Sequence, residues 1–172
     1  MRRAPLVVLL LLAACGTSEP PPPAATALTV PPGAQQATVV RHTDGDTFWL
    51  RGIGTGPLHG GAVTKVRVLE IDTPEIHPSR QCYGTEAADR TAELVPIGDR
   101  VRVEVDRDRR DRYGRLLLYV WTADGASLEE VLLREGYARV LYVRPNDRHL
   151  DHFRAVEDEA RRARRGLWGH CS

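Results

Sequence analysis

Four carboxylates, Asp44, Asp46, Asp72 and Glu75, fall at turns and strand ends, and two arginines, Arg67 and Arg115, lie in or beside strongly apolar runs. Carboxylate oxygens and a neighbouring backbone carbonyl are the hard ligands that a calcium ion takes. Guanidinium groups and a metal neutralise the charge that builds on an attacked phosphate, while a spare Glu takes a proton from water. The set therefore outlines phosphodiester hydrolysis, which needs these residue types because the phosphate is already anionic and water is a poor nucleophile. Each feature also has a plainer reading. Asp44-Gly45-Asp46 serves equally as a turn, Asp72-Thr73-Pro74 as a strand terminator, Arg67 as the cross-strand partner of an Asp, and Arg115 as a solvated hairpin arginine.

The elements that must position these groups are legible as periodicity. Ala37 to His42 and Thr47 to Arg51 alternate around the turn Thr43-Asp44-Gly45-Asp46 and predict a hairpin. Five glycines and Pro57 make Gly52 to Gly61 a flexible loop, and Val63 to Ile71 a long strand. In that strand Arg67, Leu69 and Ile71 share one face, and Val66, Val68, Glu70 and Asp72 the other. Gly84 to Leu94 reads as a helix, and Arg100 to Asp106 and Leu116 to Thr122 as strands around the polar excursion Arg107 to Arg115. Ser127 and Glu130 form a capping box for a second helix that Gly136 ends. A short strand, Ala138 to Val143, precedes a third helix, Arg148 to Arg165, whose stripe is Leu150, Phe153, Val156, Ala160 and Ala163. The expected fold is α+β, a five-stranded OB-type barrel with three helices; from pattern alone a mixed α+β sandwich is the alternative.

Composition narrows the rest. In 172 residues, 42% are hydrophobic and 27% charged, which suits one globular core and excludes disorder throughout. The apolar run Leu6 to Ala14 is too short for a permanent membrane span, for which roughly 20 residues are needed. It follows Arg2 and Arg3 and reads as a secretory signal. Leu12-Ala13-Ala14-Cys15-Gly16 resembles the lipobox of bacterial lipoproteins, so the expected division is signal 1–14, a proline-rich tether 15–36 acylated at Cys15, and a domain 37–172. The protein is then expected in the bacterial cell envelope, lipid-anchored and extracytoplasmic, or secreted if Cys15 is not lipidated. The chain has 24 basic and 23 acidic residues, and loss of Arg2 and Arg3 leaves 22 against 23, so no global field advertises nucleic acid. Lys65 is the only lysine, and the arginines that replace the others fork onto phosphate, although codon bias explains them equally well. Cys82 and Cys171 remain as an even pair, expected as a disulfide in an oxidising compartment, with two thiols or a metal pair with His77 or His170 as alternatives. His149 and His152, with no further ligands nearby, read as surface residues.

From Val39 to Trp168 the chain resembles the thermonuclease, or staphylococcal nuclease-like, family. The matching motifs, in the family's order, are Asp44-Gly45-Asp46-Thr47, Arg67-Val68-Leu69-Glu70-Ile71-Asp72-Thr73-Pro74-Glu75, Tyr83-Gly84-Thr85-Glu86-Ala87, Asp111-Arg112-Tyr113-Gly114-Arg115 and Gly166-Leu167-Trp168. The resemblance implies an OB-fold and calcium-dependent endonucleolytic hydrolysis of DNA and RNA. Asp46, Asp72 and the Thr73 carbonyl would ligate Ca2+, and Glu75 would be the general base. Arg67 and Arg115 would stabilise the reacting phosphate, and Arg112, Tyr113 and Tyr142 would bind the nucleotide. Arg112 stands where the family has a lysine. After Tyr142-Val143 a residue is missing and Arg144 appears, so a second pocket tyrosine has no counterpart. The Gly52 to Gly61 loop is longer than the family's and borders the site. The expectation is a monomeric nuclease that favours single-stranded DNA or RNA. The alternatives are an inactive OB-fold module that binds nucleic acid or protein, and a calcium-stabilised envelope scaffold.

Overall fold

A computed structural model describes residues 26–171. The expected signal, Cys15 and the first part of the tether lie outside them. Five strands, β1 (Gln35–His42), β2 (Thr47–Ile53), β3 (Val63–Val68), β5 (Arg100–Glu104) and β6 (Leu116–Trp121), close a barrel in the order β1-β2-β3-β6-β5. Neighbours are antiparallel except β3 and β6, which run parallel. A separate two-stranded sheet pairs β4 (Ile71–Asp72) with β7 (Arg139–Val140). Three helices follow the expectation: α1 (Gly84–Leu94), α2 (Leu128–Glu135) and α3 (Leu150–Arg162); a single turn, α4 (Leu167–His170), was not expected. None of these is long and apolar enough to cross a membrane.

Alternation builds the barrel interior from Ala37, Val39, Phe48, Leu50, Val66, Val68, Val101 and Val103, all buried. Strand β6, Leu-Leu-Leu-Tyr-Val-Trp, is buried on both faces, because α2 packs on its outer side. Each such side chain contributes roughly 1.5–3 kcal/mol on leaving water. Ser127 Oγ accepts from the Glu130 amide as the capping box requires, and Gly136 closes α2 at φ +78°. The Glu130 carboxylate does not complete the box: it accepts from the Leu28 amide at 2.9 Å instead.

Several expectations need correction. The strand from Val63 stops at Val68: Glu70 takes φ +58°, turning the chain so that Leu69 and Ile71 enter the core and Glu70 is buried as well. The expected faces of Val63 to Ile71 hold only as far as this break. The strand at 138–143 shrinks to Arg139–Val140, and Leu141, Tyr142 and Val143 are exposed. The glycine-rich loop is not loose. Leu58 is buried under the barrel, and the buried Gln35 side chain clamps it, donating to Leu58 O and accepting from Leu58 N, both at 2.8 Å. Gln35 and Gln36 already belong to β1, and Leu28 and Val30 pack on the core, so the end of the expected spacer is part of the domain. The third helix is Leu150–Arg162, and Ala163 beyond it is exposed instead of joining the stripe. His149 and His152 are not surface residues: the His149 ring meets Tyr119 edge-on at 4.7 Å, and His152 lies 3.3 Å from the buried Glu130 carboxylate.

Cys82 and Cys171 form the expected disulfide, with Cα atoms 5.9 Å apart across a sequence separation of 89. It ties the residues before α1 to the end of α4.

Candidate active site

The register of β2, β3 and β6 decides where the chemistry lies. Arg67 pairs with Thr47 on one side and Leu117 on the other, and the Val68 amide donates to Asp46 O at 2.9 Å. The β1–β2 turn, the end of β3 and the β5–β6 loop therefore meet at one end of the barrel. Each is fixed locally. Thr91 of α1 donates its hydroxyl to Gly45 O at 2.7 Å, pinning the Asp44–Asp46 turn. Asp111 Oδ1 accepts from the amides of Tyr113 and Arg115, both at 2.9 Å, folding the β5–β6 loop as an Asx turn closed by Gly114 at φ +80°. The Glu75 amide donates to Gln81 Oε1 at 3.0 Å, and the Gln81 amide returns a bond to Glu75 O at 2.8 Å.

Asp46 is the buried hub. Its Oδ2 accepts from the Thr73 amide at 2.8 Å and the Thr73 hydroxyl at 3.1 Å. Its Oδ1 accepts from the Thr47 hydroxyl and lies against Arg67 Nε, both at 3.1 Å. Arg67, with its side chain 11% exposed, also reaches Asp72 Oδ1 at 2.9 Å and donates Nη1 to Val68 O and Ile71 O. Its guanidinium thus stands between the two aspartates. Arg115 is held by Asp111 at 2.6 Å and by the Thr47 hydroxyl at 3.3 Å through Nη1, leaving Nη2 unpartnered among the described residues.

A cleft of about 450 Å³ is lined by Arg67, Asp72, Glu75, Arg112, Tyr113 and Arg115, with Leu141 and Val143 on its wall. Asp46 and Thr73 lie behind it, joined to it through Arg67. Tyr142 does not line the cleft, since the chain leaves β7 with its neighbours Leu141 and Val143 facing the cleft instead. Arg112 and Arg115 lie over the Tyr113 ring, with guanidinium carbons 4.8 and 5.6 Å from its centroid.

Negative charge is in excess here. Burial, then Asp46 and Glu75, push the Asp44 carboxyl up to about 6. Burial, then Asp46, raises Asp72 above the usual carboxylate range, and burial with Asp46 and Asp72 raises Glu75. Among the described residues no three His, Cys, Asp or Glu side chains are disposed as a metal-holding group. The donor chemistry nevertheless fits calcium: the oxygens are hard, and mutual repulsion of Asp44, Asp46, Asp72 and Glu75 is what a divalent cation relieves.

Asp44, singled out in the sequence among the four carboxylates but given no ligand role there, accepts through Oδ1 from the Asp46 amide at 3.2 Å. One carboxylate was missed in the sequence. Glu70 reads as one face of a strand, yet the break at that residue buries it on the cleft wall. There its Oε1 accepts from the Tyr119 hydroxyl at 2.6 Å, and burial raises its carboxyl pKa.

Residues 65–170 match a family model described as "Staphylococcal nuclease homologue". The chain is 43% identical over 136 residues to "SPbeta prophage-derived endonuclease YokF" of Bacillus subtilis (strain 168), covering 76% of this chain and 43% of that protein. It is also 43% identical over 136 residues to "Endonuclease YncB" of the same organism, covering 76% of this chain and 60% of that protein. With "Thermonuclease" of Staphylococcus hyicus the identity is 32% over 139 residues, covering 79% and 77%. The chain thus spans about half the length of the two Bacillus relatives.

Proposed function

The chain belongs to the staphylococcal nuclease homologue family, and from that premise we propose that it is an endonuclease hydrolysing phosphodiester bonds of DNA or RNA. The observation that carries the reading is the convergence of Arg67, Glu75 and Arg115 on one cleft with Asp46 and Asp72 against it. Glu75, its carboxyl held above the usual carboxylate range by burial and by Asp46 and Asp72, takes a proton from the attacking water. Its backbone is fixed by the Gln81 clamp. Arg115 presents its unpartnered Nη2 to the phosphate and stabilises charge as it develops. Arg67 neutralises Asp46 and Asp72 and keeps its charge within the cleft. Arg112 and the exposed Tyr113 hold the flanking nucleotide.

Asp46, Asp72 and the Thr73 carbonyl would hold Ca2+, which when bound supplies Lewis-acid stabilisation of the phosphate. Unpaired strands enter more readily than duplex, since the scissile phosphate has to reach Glu75 and Arg115 inside the cleft. We place the protein outside the cytoplasm, tethered through acylated Cys15. The Leu12 to Gly16 motif supports the anchor, and a Cys82–Cys171 disulfide suits an oxidising compartment. The test is cleavage of single-stranded DNA and RNA by the full chain, with calcium present and then chelated. Calcium-dependent products are expected; binding without cleavage favours the non-hydrolytic OB module.

A further inference from the structure

The cleft does not end at Tyr113. A second hollow of about 470 Å³ shares Asp111, Arg112, Tyr113, Arg115 and Val143 with it and adds Asp108, Arg110 and Arg144. A third, of about 460 Å³, is lined by His59, Arg109, Arg110 and Leu116, so that Arg110 belongs to both. We propose that these hollows form one groove that binds a single-stranded polynucleotide beyond the scissile bond, with Arg110, Arg144 and Arg109 on successive phosphates. The proposal rests on the nuclease reading for the direction of the strand, but not for the binding it asserts.

Placement distinguishes these arginines. Arg109, Arg110, Arg112 and Arg144 have no ion-pair partner among the described residues, unlike Arg90, Arg107, Arg134 and Arg148, and unlike the equally unpaired Arg51, Arg100 and Arg102 they line hollows that adjoin the cleft. Unpaired guanidinium forks are matched to phosphate oxygens. The floor between them carries Tyr113, 69% exposed, and Val143, 59% exposed, an open aromatic and apolar surface on which bases stack. The frame is fixed. The Leu117 amide donates to Arg109 O at 2.9 Å and Arg110 bridges to Leu116, so the excursion from Arg107 is tied to β6. On the far bank, the loop that carries His59 is held by Leu58 and Gln35. A phosphate held by Arg67, Arg115 and Arg112 alone would leave this row of charge without a counter-ion. With a net charge near zero overall, a local stripe is what gives a polynucleotide a preferred track.

The experiment is equilibrium binding of a 20-nucleotide single-stranded DNA to the full chain carrying Glu75→Gln, across a range of salt. The parent is compared with a further R109A/R110A/R144A triple. Each lost phosphate contact removes about 0.7 from the slope of log K against log salt. The triple is expected to flatten the slope by about 2, whereas R51A/R100A/R102A, which removes equal charge from the outer barrel face, is expected to leave it. In the background with Glu75, the ratio of kcat/KM for the 20-mer to that for a dinucleotide is expected to fall about tenfold. Should the triple lack a cooperative melt, R109A/R144A replaces it, with an expected change of about 1.4; neither side chain makes a hydrogen bond among the described residues. Absent binding by the parent, an unchanged slope, or an equal loss in the control overturns the groove. A flattened slope in a protein that cleaves nothing keeps the groove and removes the nuclease reading, and an unmoved slope in an active nuclease does the reverse.

Discussion

Gly84 lies against the backbone of Glu75: a Cβ built on Gly84 would stand 2.5 Å from Glu75 O and 3.2 Å from Pro74 O. The first residue of α1 is thus the seat on which Glu75 rests. Tyr83 before it adopts φ +70° to bring the helix in, and Cys82 beside that is locked to Cys171. Gly45 plays the same part for Thr73, with a built Cβ 2.8 Å from the Thr73 hydroxyl.

Gly84→Ala is therefore expected to displace Glu75 while the barrel stays folded. Backbone cannot yield as a flexible side chain does, so the overpacking costs about 1–3 kcal/mol. A displacement of about 1 Å at the reacting atoms lowers turnover about 10²-fold. Steady-state kinetics at a temperature where the variant is folded checks this; full turnover would mean that α1 does not position Glu75 for the reaction.

The two arginines are expected to separate. Arg67 bridges the buried Asp46 to the exposed Asp72, so Arg67→Ala leaves the buried Asp46 charge uncompensated and lowers stability by about 3 kcal/mol along with activity. Arg115 is more exposed and leans on Asp111, so Arg115→Ala is expected to lower kcat at least about 10²-fold with a much smaller stability loss. Urea melts beside the kinetics distinguish the two.

Stability is expected to fall as pH rises from mildly acid to mildly alkaline. Glu129 is fully buried between the Val120 amide and the Ser127 hydroxyl, each 2.9 Å away, and burial pushes its carboxyl up to about 8 from an ordinary 4.5. The folded state keeps a proton that the unfolded chain gives up, so its contribution is whole below about 4.5 and is lost as pH passes through 8. Glu129→Gln is expected to flatten that part of the stability profile in melts at pH 5 to 9. A parent profile already flat there contradicts the assignment.

Reduction of the disulfide, or Cys82→Ser with Cys171→Ser, is expected to lower stability by roughly 4 kcal/mol, since the bridge closes 89 residues of chain. It should also loosen the Glu75 seat, which is read as a rise in KM or a fall in kcat before the global melt.

The sequence was most informative where one physical rule acted alone. The first hairpin, α1 at Gly84–Leu94 and the ends of α2 at Ser127 and Gly136 follow from period, turn chemistry and composition, and each stands where it was expected, although the Glu130 half of the capping box is diverted to Leu28. Arg67 stood out as a charge inside an apolar strand, whereas Glu75 and Arg115, each with a plainer reading of its own, took their roles from the motifs of the resemblance. What escaped depends on tertiary closure. A non-glycine residue at φ +58° is not signalled by type, so the break at Glu70, and its burial against Tyr119, could not be seen. Leu58 in a run of glycines gives no hint that Gln35 will hold it. Tyr142 is a pocket residue only if β7 continues, and pairing with the two-residue β4 stops it at Val140. Arg67 as the bridge between Asp46 and Asp72 was present in outline, as the cross-strand pairing weighed against a phosphate role.

The central claim is tested most directly by cleavage of single-stranded DNA by the full chain in calcium, in chelator, and with Glu75→Gln. The expected result is calcium-dependent cleavage that falls about 10² to 10⁴-fold in the variant, the usual effect of a positioned base. Undiminished cleavage by Glu75→Gln would remove Glu75 as the base, and a folded parent that binds the strand without cutting it would contradict the enzyme itself.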